Sequence, residues 1–497
     1  MKRSTVIKAM ASAVSTLAVC GCAKDYSMDI LSSSLDWMTC PLTEYVLPQD
    51  GGKFDEITEN PFFSTAEQPV STFSVDADGA SYSFIKKCIG EGLPFNRSAA
   101  RIEEFINYFP FNYAEPAGSD AVALNAEIGD CPWAEGHKIM RLGMKGKSLS
   151  AGEVSGSNYV FLIDVSGSMD QEDKLTLLKS GLKALVDVLD AKDRISIITY
   201  SGRVKKLLES TPVSHASKIK NAISSLTASG STAGGEAMKM AYEEARKNFI
   251  NGGNNRVIMG TDGDFNVGVT DTDSLLEMVQ DYAKSGIYLT VCGFGWGNLN
   301  DSMMETISNK GNGTYEFIAD ADDMVKIFVR ETSKFHSVAN DCKVQITFNP
   351  EAVAQYRLIG YENRVMENED FENDEKDAAE IGAGQTITAL YEIIPADGYA
   401  KGDVCADFDF RYKKSLDSSS LPLKLQVKEA ASTGESFDFA CSLAAFGMIV
   451  RESQYKGTAK TELVKKLAEQ AAAKFDPYDY RKDFISLVGT FESKEEK

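Results

Sequence analysis

The sequence predicts an α/β protein in which a doubly wound parallel sheet is inserted in a β-sandwich and followed by a helical region. Three observations support this prediction. Apolar runs alternate with amphipathic stretches four times in the segment 155–335. Strand-like alternation of apolar and polar residues occurs before that segment, in 121–154, and after it, in 336–430. In the last segment, 431–497, apolar residues recur at helical spacing.

The composition is that of a folded protein whose surface is acidic. Of the 497 residues, 43% are hydrophobic and 25% are charged, as is typical of globular domains. The formal net charge is -21, and the sequence contains no long cluster of Lys and Arg. Because a protein that binds nucleic acid needs a basic face for the phosphates, we expect no nucleic-acid partner.

The segment 1–22 is predicted to be a secretory signal. Three basic residues precede a short apolar run at 9–19, which is too short to cross a bilayer. The following VCGC resembles a bacterial lipobox, which implies that Cys22 carries a lipid and is the membrane anchor. The expected location is the cell envelope, periplasmic or surface exposed, and Ala23 favours the outer membrane. A plain signal peptide cleaved nearby is the alternative.

A tether and a short helical region are expected between the signal and the first β segment. The segment 23–59 shows little periodicity and contains the Gly51-Gly52 pair, which is typical of a linker. In 60–120, the sequence RIEEFINYF has apolar residues at helical spacing. A short helix that is partly packed is therefore predicted there.

The cysteines indicate neither a zinc site nor a disulfide framework. Seven cysteines follow the signal, and they are scattered without a CxxC pair or a Cys/His cluster. Cys292 lies in the apolar run IYLTVCGFG and is predicted to be a buried thiol.

Four apolar runs predict the strands of the central sheet, at 158–164, 194–201, 256–262 and 287–295. Strands that are apolar on both faces and separated by helices indicate a parallel sheet covered on both sides. In such sheets, ligands bind beyond the carboxyl ends of the strands. The residues that directly follow each run are therefore the candidates for a binding site.

Oxygen-bearing side chains follow two of these runs. The first run ends at Asp164 and is followed by Ser166 and Ser168, and the third run ends at Asp262. Thr232 lies between them in sequence, in a Gly-rich loop just before a predicted helix. Two carboxylates and three hydroxyls at one rim are hard oxygen ligands, which suit Mg²⁺, Mn²⁺ or Ca²⁺ and not zinc.

The motifs DVSGSM, GSTAGG and TDG resemble the metal-ion-dependent adhesion site of von Willebrand factor type A domains. The resemblance implies that Ser166, Ser168 and Thr232 bind the metal directly, and that Asp164 and Asp262 act directly or through water. The two Asp charges would neutralise the cation, and the coordination sphere would keep one position open. An Asp or Glu carboxylate of a protein partner is the expected final ligand.

The layout of the whole chain is similar to that of bacterial lipoproteins with a type A domain. The sequences that carry this resemblance include NPFFSTAEQPVSTFSVDADGASYSFIKK, IGAGQTITALYEI and AAFGMIVRESQY. It implies that 60–120 is an N-terminal region associated with the type A domain, and that a C-terminal domain of unknown function follows that domain.

These features predict an envelope protein that binds a protein partner through a divalent metal, in adhesion or in the assembly of an envelope complex. A modulator of a membrane transport complex is the alternative, because the calcium-activated chloride channel regulators also contain type A domains. A metal-assisted hydrolase is least favoured. The three His lie in different segments, and HExxH and GxSxG are absent. We therefore assign no catalytic residue and expect no enzymatic activity.

Two further acidic sequences invite comparison with an EF-hand. These are Asp264 with Asn266 and, near the N-terminus, Asp76 with Asp78. Neither sequence has the complete D-x-D-x-D-G-x5-E pattern of a calcium-binding loop. We interpret both as polar loops.

Overall fold

The computed structural model describes residues 51–150, 152–230, 234–263, 272–429 and 431–495. The predicted signal with Cys22 lies outside the described residues, as do Thr232, Asp264 and Asn266. In the part of the chain that is described, no helix is both long and apolar enough to cross a membrane.

Strands and helices alternate through most of the described chain. The strands are β1 (Gly52–Lys53), β2 (Phe63–Ser64), β3 (Val70–Ser74), β4 (Val122–Asp130), β5 (Lys138–Gly146), β6 (Ser157–Asp164), β7 (Arg194–Tyr200), β8 (Val204–Pro212), β9 (Asn254–Thr261), β10 (Ile287–Phe294), β11 (Leu299–Asn300), β12 (Tyr315–Ile318), β13 (Ser337–Phe348), β14 (Val353–Ile359), β15 (Val365–Met366), β16 (Ile381–Gly382), β17 (Thr386–Pro395), β18 (Val404–Lys413) and β19 (Leu421–Lys428). The α-helices are α1 (Ala80–Glu91), α2 (Ile102–Asn107), α3 (Leu177–Val188), α4 (Ala216–Ser224), α5 (Gly234–Lys247), α6 (Thr272–Lys284), α7 (Asp301–Lys310), α8 (Ala321–Val325), α9 (Glu435–Arg451), α10 (Thr461–Ala472) and α11 (Tyr480–Glu495).

The central sheet has the strand order β12-β10-β9-β6-β7-β8. The four predicted runs are confirmed as β6, β7, β9 and β10, which are parallel neighbours in this sheet. Their central residues are buried because helices cover both faces. The sequence did not indicate the two edge strands. β12 is short, and β8 is antiparallel to β7 with partly exposed residues, as one expects at an edge.

The β-sandwich consists of a six-stranded and a five-stranded sheet. The first has the order β15-β3-β13-β18-β19, with β16 also paired to β13, and the second has the order β2-β14-β17-β5-β4. Side chains from both sheets form one core that includes Phe73, Leu142, Val344 and Phe408. Strands β4 and β5 precede the central α/β domain and β13 follows it, so the predicted insertion is confirmed. The predicted first β segment was incomplete, because β3 precedes residue 121 and pairs with β13.

The N-terminal and C-terminal helical regions pack against each other. Rings of α2 and its C-terminal flank meet rings of α9, with centroid distances of 6.1 Å for Phe105–Phe446 and 5.1 Å for Phe109–Phe439. The same buried cluster continues onto one face of the central sheet. The prediction of a tether over 23–59 was wrong near its C-terminal end. There, β1 pairs with β11 of the α/β domain instead of forming a linker.

The cysteine prediction is confirmed for Cys292, which is fully buried in β10. The described cysteines 88, 131, 292, 342, 405 and 441 are all free and buried.

Candidate metal centre

The strand ends bring two predicted carboxylates to the same edge of the central sheet. Asp164 is the last residue of β6, and Asp262 directly follows β9. These strands are parallel neighbours in which Ile163 lies opposite Gly260, so their carboxyl ends are level. Thr261 Oγ1 lies 3.4 Å from Asp164 Oδ2, and both Asp side chains are fully buried.

The turn after β6 places two predicted hydroxyls together. The backbone amide of Ser166 donates to Asp164 Oδ1 at 2.8 Å, which is the local Asp-turn that bends the chain away from the strand. A short 3-10 turn follows, Gly167–Met169. As a result, Ser166 Oγ and Ser168 Oγ lie 3.0 Å apart, the first buried and the second exposed.

The loop residues Ser229 and Gly230, just before Thr232, lie against the turn that carries Ser166 and Ser168. The amide of Gly167 donates to the carbonyl oxygen of Gly230 at 3.0 Å, and the amide of Ser229 donates to the carbonyl oxygen of Val165 at 2.7 Å. The structure thus brings four of the five predicted residues to one rim, while the fifth, Thr232, lies outside the described residues, two positions beyond Gly230.

Lys174 also belongs to this site, although we did not predict it. Its Nζ donates to Asp262 Oδ2 at 2.9 Å and to the Ser168 carbonyl oxygen at 3.0 Å. The side chain is 4% exposed. A signal was present in the sequence, since Lys174 lies four and eight residues before the buried Leu178 and Leu182, on the apolar face of the helix.

The donors at this rim fit a hard divalent cation. Among the described residues, no hydrogen-bond donor contacts Asp262 Oδ1, although the atom is buried. Burial raises the pKa of Asp164 to about 6, which hydrogen bonds from Ser166 oppose and the nearby charge of Asp262 reinforces. Two buried carboxylates thus lie at this rim, only one of them is paired with the ammonium group of Lys174, and a bound cation would neutralise the remaining charge.

Comparisons with known proteins identify the domains. Family models match residues 48–141 (von Willebrand factor), 158–330 (von Willebrand factor type A domain) and 333–493 (Uncharacterized protein YfbK, C-terminal). Uncharacterized protein YfbK of Escherichia coli (strain K12) is 36% identical over 463 residues, which cover 88% of this chain and 80% of that protein. Inter-alpha-trypsin inhibitor heavy chain H3 of Homo sapiens is 29% identical over 190 residues, 35% of this chain and 21% of that protein.

Two solved structures show partial similarity. The protein BatB from Bacteroides thetaiotaomicron is 24% identical with a TM-score of 0.32, and the match covers 36% of this chain and 98% of that chain. A von Willebrand factor type A protein from Catenulispora acidiphila is 16% identical with a TM-score of 0.42, covering 75% of this chain and 90% of that chain. From its similarity to the Escherichia coli protein over most of both sequences, the chain belongs to the YfbK family, and its α/β domain is a von Willebrand factor type A domain.

Proposed function

We propose that this protein binds a protein partner through a divalent cation, Mg²⁺ or alternatively Mn²⁺ or Ca²⁺, in adhesion or in the assembly of an envelope complex. The cation is held by Asp164, Ser166, Ser168, Thr232 and Asp262. An Asp or Glu carboxylate of the partner completes its coordination. The relationship to inter-alpha-trypsin inhibitor heavy chains supports a role in protein interaction at this coarse level.

The observation that carries this proposal is the buried Asp262 Oδ1, which has no donor among the described residues, beside the buried carboxylate of Asp164. An uncompensated buried carboxylate oxygen is costly, and a cation at the rim would remove that cost. The exposed side chain of Ser168 marks the side from which a partner carboxylate can approach the cation.

A binding role is also favoured over hydrolysis. The Ser166 and Ser168 hydroxyls contact each other, and His137 Nδ1 lies 2.6 Å from Glu392 Oε1 in the sandwich. A histidine base must lie within hydrogen-bond reach of a serine nucleophile, and His137 is instead paired with Glu392 in the sandwich. We therefore propose that the site captures a ligand without transforming it.

Metal binding is tested by titrating Mg²⁺ and Mn²⁺ into the full chain and into its Asp164→Ala variant. We expect about one ion per chain in the unmodified protein and a loss of at least roughly tenfold in affinity in the variant, the effect of about 1.4 kcal/mol. Asp187→Ala is the matched control, because Asp187 lies on α3 with an exposed side chain. Equal affinities in all three proteins would rule out this site.

Partner binding is tested separately, by capturing envelope proteins on the immobilised full chain. A specific partner should be retained with Mg²⁺ and lost with EDTA or with Asp164→Ala. Retention that neither treatment changes would contradict a metal-bridged contact.

We further propose that Cys22 carries a lipid that anchors the chain in the outer membrane, periplasmic or surface exposed. The support is the lipobox-like VCGC. Incorporation of labelled palmitate into the unmodified chain but not into Cys22→Ser is the expected result, and Cys20→Ser is the control. Labelling of both variants would contradict the assignment to Cys22.

A further inference from the structure

A cavity of about 380 Å³ lies where four parts of the chain meet. Its walls come from the segment after α2, the helical turns after α8, the residues just before β17 and the connection between α10 and α11. Its volume is within the range of roughly 300 to 1,000 Å³ that is usual for small-molecule sites. Asp164, Ser166, Ser168 and Asp262 do not line it, so the cavity is separate from the candidate metal centre.

Part of the lining is aromatic. The aromatic residues of the lining are Tyr108, Phe109, Phe111, Tyr113, Phe475 and Tyr478. The rings of Phe111 and Tyr113 stack at a centroid distance of 5.5 Å and an interplanar angle of 16°. Phe109 and Phe111 are also packed against the ring of Phe439, at 5.1 and 5.9 Å. Because these contacts fix the rings, an apolar group can bind here without ordering the wall.

The lysines of the lining already have acidic partners. The three ion pairs, whose members all line the cavity, are Lys326–Glu331 at 2.6 Å, Lys334–Glu316, and Lys145–Glu115 at 3.6 Å. Three positive and three negative charges cancel, so these six residues give the cavity no net charge.

Arg330 is the charged residue of the lining that lies outside these pairs. Its Nη1 donates to the Tyr480 hydroxyl oxygen at 3.2 Å, and its guanidinium lies 4.5 Å from the centre of the Tyr478 ring. Its Nε and Nη2 have no hydrogen-bond partner among the described residues. The charge of Asp322 acts on Arg330 only from beyond ion-pair distance. The cavity therefore has one uncompensated positive charge, on a group that binds carboxylates through two parallel N–H donors.

Tyr478 is held at the cavity in an unfavourable backbone conformation. Its φ and ψ angles are 60° and 22°, and the φ angle of the next residue, Asp479, is 62°. Residues other than glycine rarely adopt this left-handed region, and such strain is concentrated at functional sites. Tyr478 is 59% exposed, so burial of its ring does not compensate for the strain. A ligand that covered the ring would do so.

We propose that this cavity binds an organic carboxylate with an aromatic or other apolar body, either a free acid or the C-terminal residue of a peptide. Arg330 binds the carboxylate, and the apolar body packs against Phe109, Phe111 and Phe475. One uncompensated positive charge matches a monoanion, whereas a phosphate group carries about 1.5 to 2 negative charges at pH 7. The ligand thereby contacts both the last helical turns of the type A domain and the C-terminal helical region.

The test uses the full chain in EDTA, so that no metal at Asp164 can hold the carboxylate. The probes are 3-phenylpropionate and its amide, which has the same apolar body without the charge. By isothermal titration, we expect a Kd of about 1 mM or lower for the acid and at least tenfold weaker binding of the amide. Arg330→Gln should weaken binding of the acid to the level of the amide.

Two further variants separate the binding site from general effects on the fold. Arg246→Gln is the matched control, because Arg246 is also exposed and lies 4.3 Å from the ring of Tyr282, outside the cavity. It should bind the acid like the unmodified chain. Tyr478→Gly removes the ring, and glycine adopts a positive φ without steric cost. This variant should therefore keep its Tm but bind the acid several-fold more weakly.

The tripeptide Gly-Gly-Phe distinguishes the two sources of the carboxylate. Tighter binding of the peptide than of 3-phenylpropionate assigns the cavity to a peptide C-terminus, and weaker binding assigns it to a free acid. The proposal is overturned if neither acid binds at millimolar concentration. Equal binding of the acid and its amide would also overturn it, as would unchanged binding of the acid in Arg330→Gln.

Discussion

Lys174 Nζ lies 2.9 Å from Asp262 Oδ2, so the candidate metal centre contains a positive charge of its own. Both side chains are buried. The ammonium neutralises one of the two carboxylates and leaves Asp262 Oδ1 available to a metal. The ion pair stabilises the metal-free protein, but the positive charge of the Lys174 ammonium repels an incoming cation.

Replacing Lys174 by Met should therefore have opposite effects on folding and on metal binding. Without metal, Asp262 would be left buried and unpaired, and we expect a loss of about 3 to 5 kcal/mol of stability. With Mg²⁺, we expect roughly tenfold tighter binding, since relief of about 1.4 kcal/mol of repulsion suffices. Thermal unfolding in EDTA and in Mg²⁺ measures both effects. The control is Lys183→Met on α3, and weaker Mg²⁺ binding in Lys174→Met would show that the ammonium positions Asp262 for the metal instead.

A buried ion pair of the sandwich lies against the C-terminal region. Arg357 Nη2 donates to Glu392 Oε2 at 2.9 Å, and the guanidinium lies 4.2 Å from the centre of the Tyr455 ring. We expect Arg357→Met to lower the free energy of unfolding by up to about 3 to 5 kcal/mol, because the buried Glu392 would keep only its contacts with His137 and Trp133. The double variant Arg357→Met/Glu392→Leu should recover part of that loss in denaturant unfolding. Strictly additive losses would contradict coupling between the two side chains.

His336 should make stability depend on pH. Burial, with the charges of Arg256 and Lys192, lowers the pKa of His336 from 6.5 to about 4 in the folded protein. The unfolded state therefore binds more protons between about pH 6.5 and pH 4, and the contribution of His336 to stability falls as the pH falls through that window. The full difference is about 3 kcal/mol.

The variant His336→Gln isolates this effect from the buried carboxyls of Asp78, Glu104 and Glu305, whose raised pKa values act with the opposite sign. The difference in unfolding free energy between the two proteins, measured by urea at pH 7 and pH 4.5, should change by about 2 to 3 kcal/mol. If the difference is the same at both pH values, folding does not lower the pKa of His336.

Gly313 is required by a close approach between two backbone segments of the type A domain. A Cβ atom at this position would lie 1.5 Å from the carbonyl oxygen of Leu289. Gly313→Ala should therefore separate the segment before β12 from β10 and cost more than about 3 kcal/mol, or prevent folding. Gly489→Ala in α11 is the control, because a Cβ there meets no atom within 4 Å and should stabilise the helix by up to about 1 kcal/mol. Equal Tm values for Gly313→Ala and the unmodified chain would contradict the clash.

Much of the type A domain could be predicted because its signals are local. The apolar runs that correspond to β6, β7, β9 and β10 are apolar on both faces. Each can be recognised as a strand from its own residues, without knowledge of its neighbours in the sheet. Asp164 and Asp262 could be proposed together because parallel strands end at a common edge. The edge strand β8 was missed, since its partly exposed residues resemble those of a loop.

The alternation of strands and helices, the polar residues at the strand ends and the insertion of the α/β domain between β segments are all readable from the amino-acid sequence. These features follow from periodicity and from the order of the chain. Tertiary packing alone determines that Lys174 neutralises Asp262, that β3 enters the sandwich, that Asp76 and Asp78 are buried instead of lying in a polar loop, and that Asp76 lies beside Glu305. The physical reason is that each of these contacts joins residues remote in sequence, and their pairing depends on how the elements pack, which no local pattern records.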